Sequence, residues 1–250
     1  MKIHFIRHAT MILHFKSKKI LVDPMLSSKN TLSAVENVPN QNDNPLNDLP
    51  VSLDSLMDCD AVLVTHTHRD HFDDMAANLI QKSLPVLCQP EDEAKFKELG
   101  FTSVIPVTDH FEWENIKIIR TKGRHGHGAI AVKMAPVSGY VISAPDEPVV
   151  YLSGDTVWYS CTKKVMEKYQ PEIVISFCGE ARFAYGKAIT MDAQDILSIC
   201  KISPKAKVVA VHMDAWNHCR LTRSNLRNFL ESNNISDQVF VPQDGEVLSF

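Results

Sequence analysis

The run Ala61-Val62-Leu63-Val64-Thr65-His66-Thr67-His68-Arg69-Asp70-His71 decides how this 250-residue chain is read. Its first four residues are apolar and two are β-branched, a pattern that predicts a short buried strand. The segment that follows is dense in metal-type donors. Alternate side chains of an extended segment point the same way, so His66 and His68 can grip one ion together. Asp70 and His71 fall where the chain turns toward the next helical pattern, and can face a second ion. Imidazole and carboxylate donors suit zinc, manganese or iron. With 11 histidines in the chain, chance would place His-x-His-x-Asp-His in roughly one shuffled sequence in several hundred. Its position at a strand end lowers those odds further.

Working outward, similar short apolar runs recur at Lys19–Val22, Asn115–Ile119, Tyr140–Ile142, Val149–Leu152 and Lys207–Val211. Helical periodicity lies near 73–83, 91–99, 161–169, 192–201 and 222–232. The mixture predicts an α/β chain in which helices cover sheets. Three of the runs also end in candidate donors. Gly123-Arg124-His125-Gly126-His127-Gly128 follows the strand near 115–120, and His125 and His127 compete for one role. Asp155, in Ser153-Gly154-Asp155-Thr156, can bridge two metals or cap a helix. His212 ends the run Lys207–Val211. Function carried on loops at strand ends is a common arrangement. Residues 27–52 are rich in Ser, Asn, Asp and Pro and show little periodicity. Too few residues precede them to form a separate domain, so one domain is expected over 1–250, with 27–52 as a loop over its functional site.

Composition narrows the class. The chain is 44% hydrophobic and 22% charged, as expected for a globular protein with a sizeable core. A net charge of -4 argues against a broad nucleic-acid footprint. Cys59, Cys88, Cys161, Cys178, Cys200 and Cys219 are scattered without a CxxC pair, which points to free thiols and a reducing compartment. The start, Met1 to His8, carries charges where a signal peptide needs an apolar stretch, so a cytoplasmic location is expected.

Taken in order, His66–His71, His125, Asp155 and His212 resemble the motifs of the metallo-β-lactamase superfamily. Leu21–Pro24, Gly123–Gly126, Ser153–Thr156, Val211–Met213 and Asp244–Glu246 look most like its ascorbate-6-phosphate lactonase-like branch. That resemblance implies a four-layer αββα sandwich, two mixed sheets flanked by helices, with a binuclear metal site at one edge. It implies one site of His66, His68 and His125, a second of Asp70, His71 and His212, and Asp155 shared. The implied cofactors are two divalent transition-metal ions, zinc foremost, with manganese or iron as alternatives. The implied activity is hydrolysis of a small ester, lactone or phosphodiester by a metal-bridging hydroxide. Asp70 would ligate and orient the nucleophile. His218 would protonate a leaving group or steady an oxyanion, or would be a helix-start histidine contacting backbone. Arg124, Arg182 and Arg220 either clamp an anionic substrate or are solvated surface charges, and Met191, Met213 and Trp158 line either the pocket or the core. The expected partner is a small anionic molecule rather than nucleic acid or membrane, and a homo-oligomer stays open. An iron-dependent redox protein on the same fold and an RNA-processing nuclease are the competing readings.

Overall fold

The strand at Ala61–Leu63 is covered on both faces. Ala61 and Leu63 pack among strand residues of a second sheet, whereas Val62 and Val64 pack among helical residues. The rest of the molecule repeats that division. In the computed structural model, which describes Met1–Phe250, the first half contains β1 (Lys2–Arg7), β2 (Thr10–Phe15), β3 (Lys18–Val22), α1 (Leu53–Met57), β4 (Ala61–Leu63), α2 (Asp74–Leu79), β5 (Val86–Cys88), α3 (Glu93–Glu98) and β6 (Val104–Pro106). The second half then runs through β7 (His110–Trp113), β8 (Ile116–Lys122), α4 (Ala129–Lys133), β9 (Ser138–Ser143), β10 (Val150–Leu152) and α5 (Ser160–Tyr169). It closes with β11 (Ile173–Phe177), α6 (Ala193–Ile202), β12 (Lys207–Val211), α7 (Arg223–Ser232), β13 (Val239–Phe240) and β14 (Val247–Ser249).

One seven-stranded sheet has the order β14-β1-β2-β3-β4-β5-β6, and the other β13-β12-β11-β10-β9-β8-β7. Each begins with antiparallel neighbours and continues through parallel ones, β3 to β6 in the first sheet and β10 to β13 in the second. The inner faces meet in one core, for example Phe5, Leu13 and Leu63 against Ile142, Leu152 and Phe177. The outer face of the first sheet packs with Ala76, Ala77 and Phe96 of α2 and α3. That of the second packs with Met166, Ile196 and Leu226 of α5, α6 and α7. These three cores make the αββα sandwich, and strands buried on both sides read as unbroken apolar runs.

The helices start where the sequence supplies caps. Asp73 accepts from Ala76 N at 2.8 Å, Asp192 from Asp195 N at 3.0 Å, and Thr222 from Asn225 N at 3.1 Å, each satisfying an orphan amide. α2 is shorter than its periodicity suggests, because Ile80 turns extended and buries its side chain. The short α1 and α4 had no periodic signal. Residues 27–52 hold neither helix nor strand, only a bridge between Leu32 and Asn44. No helix is long and apolar enough to cross a membrane, and all six cysteines are free.

Two glycines bring β9 against the turn that carries Asp155. A Cβ on Gly154 would lie 2.2 Å from Ser138 O, with φ at +62°, and one on Gly139 would lie 2.6 Å from Ser153 O. Gly154→Ala should therefore cost about 2–5 kcal/mol of stability from backbone strain and overlap together. Gly100→Ala is the control, since its φ is +87° but a Cβ there meets nothing within 4 Å. Denaturant titration reads both. Equal losses would refute the close approach at Gly154.

Candidate metal centre

β1, β3 and β4 run in one direction within their sheet, and β8, β10 and β12 run in one direction within theirs. Their carboxyl ends deliver His8, Asp23, His66–His71, His125, Asp155 and His212. Open sheets with parallel strands commonly place sites at such ends.

A buried carboxylate organises the first group. Asp23 accepts from Thr65 N and Thr65 Oγ1, both at 2.7 Å, and from His71 Nδ1 at 2.8 Å. The His71 ring is thereby turned so that Nε2 lies 3.3 Å from Asp155 Oδ2. Because the Thr65 hydroxyl donates to Asp23, it accepts from His66 Nδ1 at 3.1 Å, which frees His66 Nε2. His125 donates Nδ1–H to Ile189 O at 2.8 Å, leaving Nε2 at 3.4 Å from Asp155 Oδ2. These are the outer partners that fix tautomer and ring orientation in metal-ligating histidines.

The donors fall into three groups whose ligand atoms lie within 4.8 Å of one another: His66, His68 and His125; His66, His71 and Asp155; and His8, Asp70, His71 and His212. All seven residues expected from the motifs are therefore brought together. His125 faces the cluster, whereas His127 lies outside it and lines other pockets. Asp155 does not cap α5, whose N-cap is Tyr159.

The arrangement fits cations. His66 Nε2 faces His68 Nδ1 at 2.9 Å, and His71 Nε2 faces His212 Nε2 at 3.3 Å. Asp155 Oδ1 is buried without a hydrogen-bond partner. Burial pushes the Asp155 and Asp70 carboxyls up, but the imidazoles around them, His71 foremost for Asp70 and His212 for Asp155, outweigh it and hold both well below the usual carboxylate range. Burial lowers His71, yet Asp155, Asp70 and Asp23 together raise it well above the ordinary imidazole value. The cluster thus draws in positive charge, a demand that metal ions meet without a buried proton. Burial keeps His66 and His212 well below the ordinary range and His68 at about 4, so their lone pairs are free for ligation.

A cavity of about 410 Å³ opens above His68, Asp70 and His125, walled by Val35, Met134, Phe183 and Trp216. His218 lines it too; it is buried, with Nδ1 unpartnered, and burial lowers it to about 4. Ser33–Glu36, from the irregular segment, form another wall. Asn217 pins that segment: its Oδ1 accepts from Val35 N and Asn44 Nδ2, both at 3.0 Å, and its Nδ2 donates to Asn40 O at 2.7 Å. Arg7 holds the segment's base through Met25 O, Ser27 O and Asn47 O. Arg69 donates to Ser33 O at 2.6 Å and lies over the Trp216 ring.

The structure separates the alternatives left open for several side chains, and the substrate-clamp reading of the arginines is not met. Arg124 sits over the Tyr159 ring, Arg182 pairs with Glu180 and Arg220 donates to Phe183 O. None of the three lines the cavity. Met191 and Met213 belong to the core under α5–α7, with Trp158 against it. The sequence reading missed His8, Asn217 and Trp216, and gave Asp23 no role; only His8 and Asp23, as polar residues ending apolar runs, carried a local signal.

The β-lactamase superfamily domain model matches residues 18–213. The UPF0173 protein YddR of Bacillus subtilis (strain 168) is 39% identical over 254 residues, covering all of both chains. Among solved structures, a "possible metal-dependent hydrolase" from Veillonella parvula DSM 2008 aligns with TM-score 0.97 at 37% identity, covering 100% of this chain and 99% of that one. An isothiocyanate hydrolase from Delia radicum gut bacteria aligns with TM-score 0.96 at 34% identity, with the same coverage. With its motif order, its two sheets and its strand-end cluster in agreement, the chain belongs to the β-lactamase superfamily domain family and has the metallo-β-lactamase fold.

Proposed function

We propose that the chain is a metal-dependent hydrolase that adds water to a small, uncharged, apolar electrophile, with isothiocyanates as the favoured substrate class. The observation that carries this reading is the buried His/Asp cluster opening onto an apolar-walled cavity. His66, His68 and His125 would hold one ion, Asp70, His71 and His212 a second, and Asp155 would serve both. Transition-metal ions so held supply Lewis acidity and a water nucleophile at neutral pH.

The cavity walls support an apolar substrate over an anionic one. The cavity's lining includes one basic side chain other than histidine, Arg69, already engaged with Ser33 and Trp216, and it includes Glu36. Apart from the ions themselves, the lining offers a phosphodiester or other anion little further compensation. Val35, Met134, Phe183 and Trp216 instead suit an alkyl or aryl substituent. The full-length similarity to an isothiocyanate hydrolase supports the same class.

Hydrolysis of R–N=C=S by one water gives R–NH2 and O=C=S. The water oxygen bonds to the central carbon, the carbon–nitrogen bond breaks, and both protons end on nitrogen. Asp70, held as a carboxylate of low basicity, accepts a hydrogen bond and orients the water rather than storing its proton. His218 is kept neutral by burial and presents an N–H as a hydrogen-bond donor toward the departing nitrogen. The apolar walls hold the substituent and exclude bulk water.

Three measurements test this reading. Protein purified without chelator should carry about two transition-metal ions per chain by elemental analysis, and a folded, active, metal-free protein would end the proposal. Benzyl isothiocyanate should be turned over with release of benzylamine, while a lactone, a carboxylic ester and bis(p-nitrophenyl) phosphate should be poor substrates; preference for the phosphodiester would reverse the assignment. Asp23→Asn, which leaves every expected ligand in place, should lower metal affinity or activity about 10–100-fold. Unchanged zinc affinity and turnover in that variant would remove Asp23 from the centre's support.

A further inference from the structure

His8 is the imidazole of the cluster that the seven motif residues leave out. It sits in the turn between β1 and β2 with φ at +61°, in the left-handed region that few residues other than glycine occupy, histidine being among those that do so more often. The residue is fully buried. Its Nε2 lies 3.3 Å from Asp70 Oδ2, and its ring lies 3.7 Å from that of His212, centroid to centroid. Its carbonyl also accepts from His212 N at 2.9 Å. A tight turn alone would be served better by glycine or asparagine, and an apolar ring would stack without a buried nitrogen to satisfy.

The tautomer follows from the surroundings. His66, His71 and His125 each donate one ring N–H to an oxygen and keep the other nitrogen for the cluster. His8 Nδ1 has no partner at all, so its proton belongs on Nε2, facing Asp70. That leaves no lone pair on this side for an ion.

We propose that His8 is a positioning residue for the half of the centre formed by Asp70, His71 and His212: its Nε2–H fixes the Asp70 carboxylate and its ring fixes the His212 imidazole. The inference rests on the reading of Asp70 and His212 as metal ligands. It accounts for β1 ending beside His212, the residue after β12, although the two strands lie in different sheets.

The test compares the full chain with His8→Phe, which keeps a ring without the N–H, and His8→Gln, whose amide can reach toward the Nε2 position. Each protein is stripped of metal, and zinc is titrated in against a chromophoric chelator. In His8→Phe one zinc should bind about 10–100-fold more weakly while the other is unaffected. His8→Gln should recover most of the loss, and the metal-free unfolding midpoint of both should match that of the unaltered chain. Two zinc ions bound by His8→Phe with unaltered affinity would overturn the proposal. A His8→Gln variant as impaired as His8→Phe would overturn it in favour of direct ligation by the imidazole. If His8→Phe fails to fold, His8→Met against His8→Gln makes the same comparison. An unaltered chain that takes up no zinc would remove the ligand reading itself, an outcome distinct from the others.

Discussion

The buried carboxylate of Asp23 ties the ends of two neighbouring parallel strands, and the geometry of the centre depends on it. It receives two hydrogen bonds from Thr65 and one from His71. Through His71 it sets the direction of one imidazole, and through the Thr65 hydroxyl it sets a second, that of His66. A carboxylate at this depth is costly unless its lone pairs are met, and here three donors meet them. The cost of burial is turned into orientation, which lets the ligating nitrogens converge.

The sandwich performs the same service on a larger scale. Because the strands ending in donors run alike within each sheet, and the two sheets pack through one shared core, His66, His125, Asp155 and His212 arrive from four separate strand ends at one place. The irregular segment is then fastened over the opening at two heights, by Arg7 at its base and by Asn217 above. Asn217 immediately precedes His218, so one short stretch both holds the wall and presents an imidazole to the cavity.

Much of this was legible in the chain because it is local. Strands buried on both faces show as unbroken apolar runs, and Lys207–Val211 was read with the bounds it has in the structure. Helices α5, α6 and α7 carry their own periodicity and lie close to where it placed them. α2 ends short of its periodic pattern at Ile80, whose backbone turns extended and whose side chain enters the core. The arginines went astray for a related reason. Proximity to a motif in sequence says nothing about which way a long side chain points, and Arg124 turns to Tyr159 while Arg220 turns to a backbone carbonyl.

The segment His66–His71 shows where the two kinds of information divide. Its spacing alone determined that a strand would end in two alternating imidazoles followed by a carboxylate and a third imidazole, since that depends only on backbone period and side-chain chemistry. The choice of His125 over His127, the support from Asp23 and the presence of His8 were decided by tertiary structure. His8 follows Arg7 at the end of an ordinary strand and has no partner nearby in sequence. Its meaning appears only when packing of the two sheets brings Asp70 and His212 to its ring. The apolar walls of the cavity are of the same kind: Val35, Met134, Phe183 and Trp216 are far apart in the chain and form a surface only through the fold.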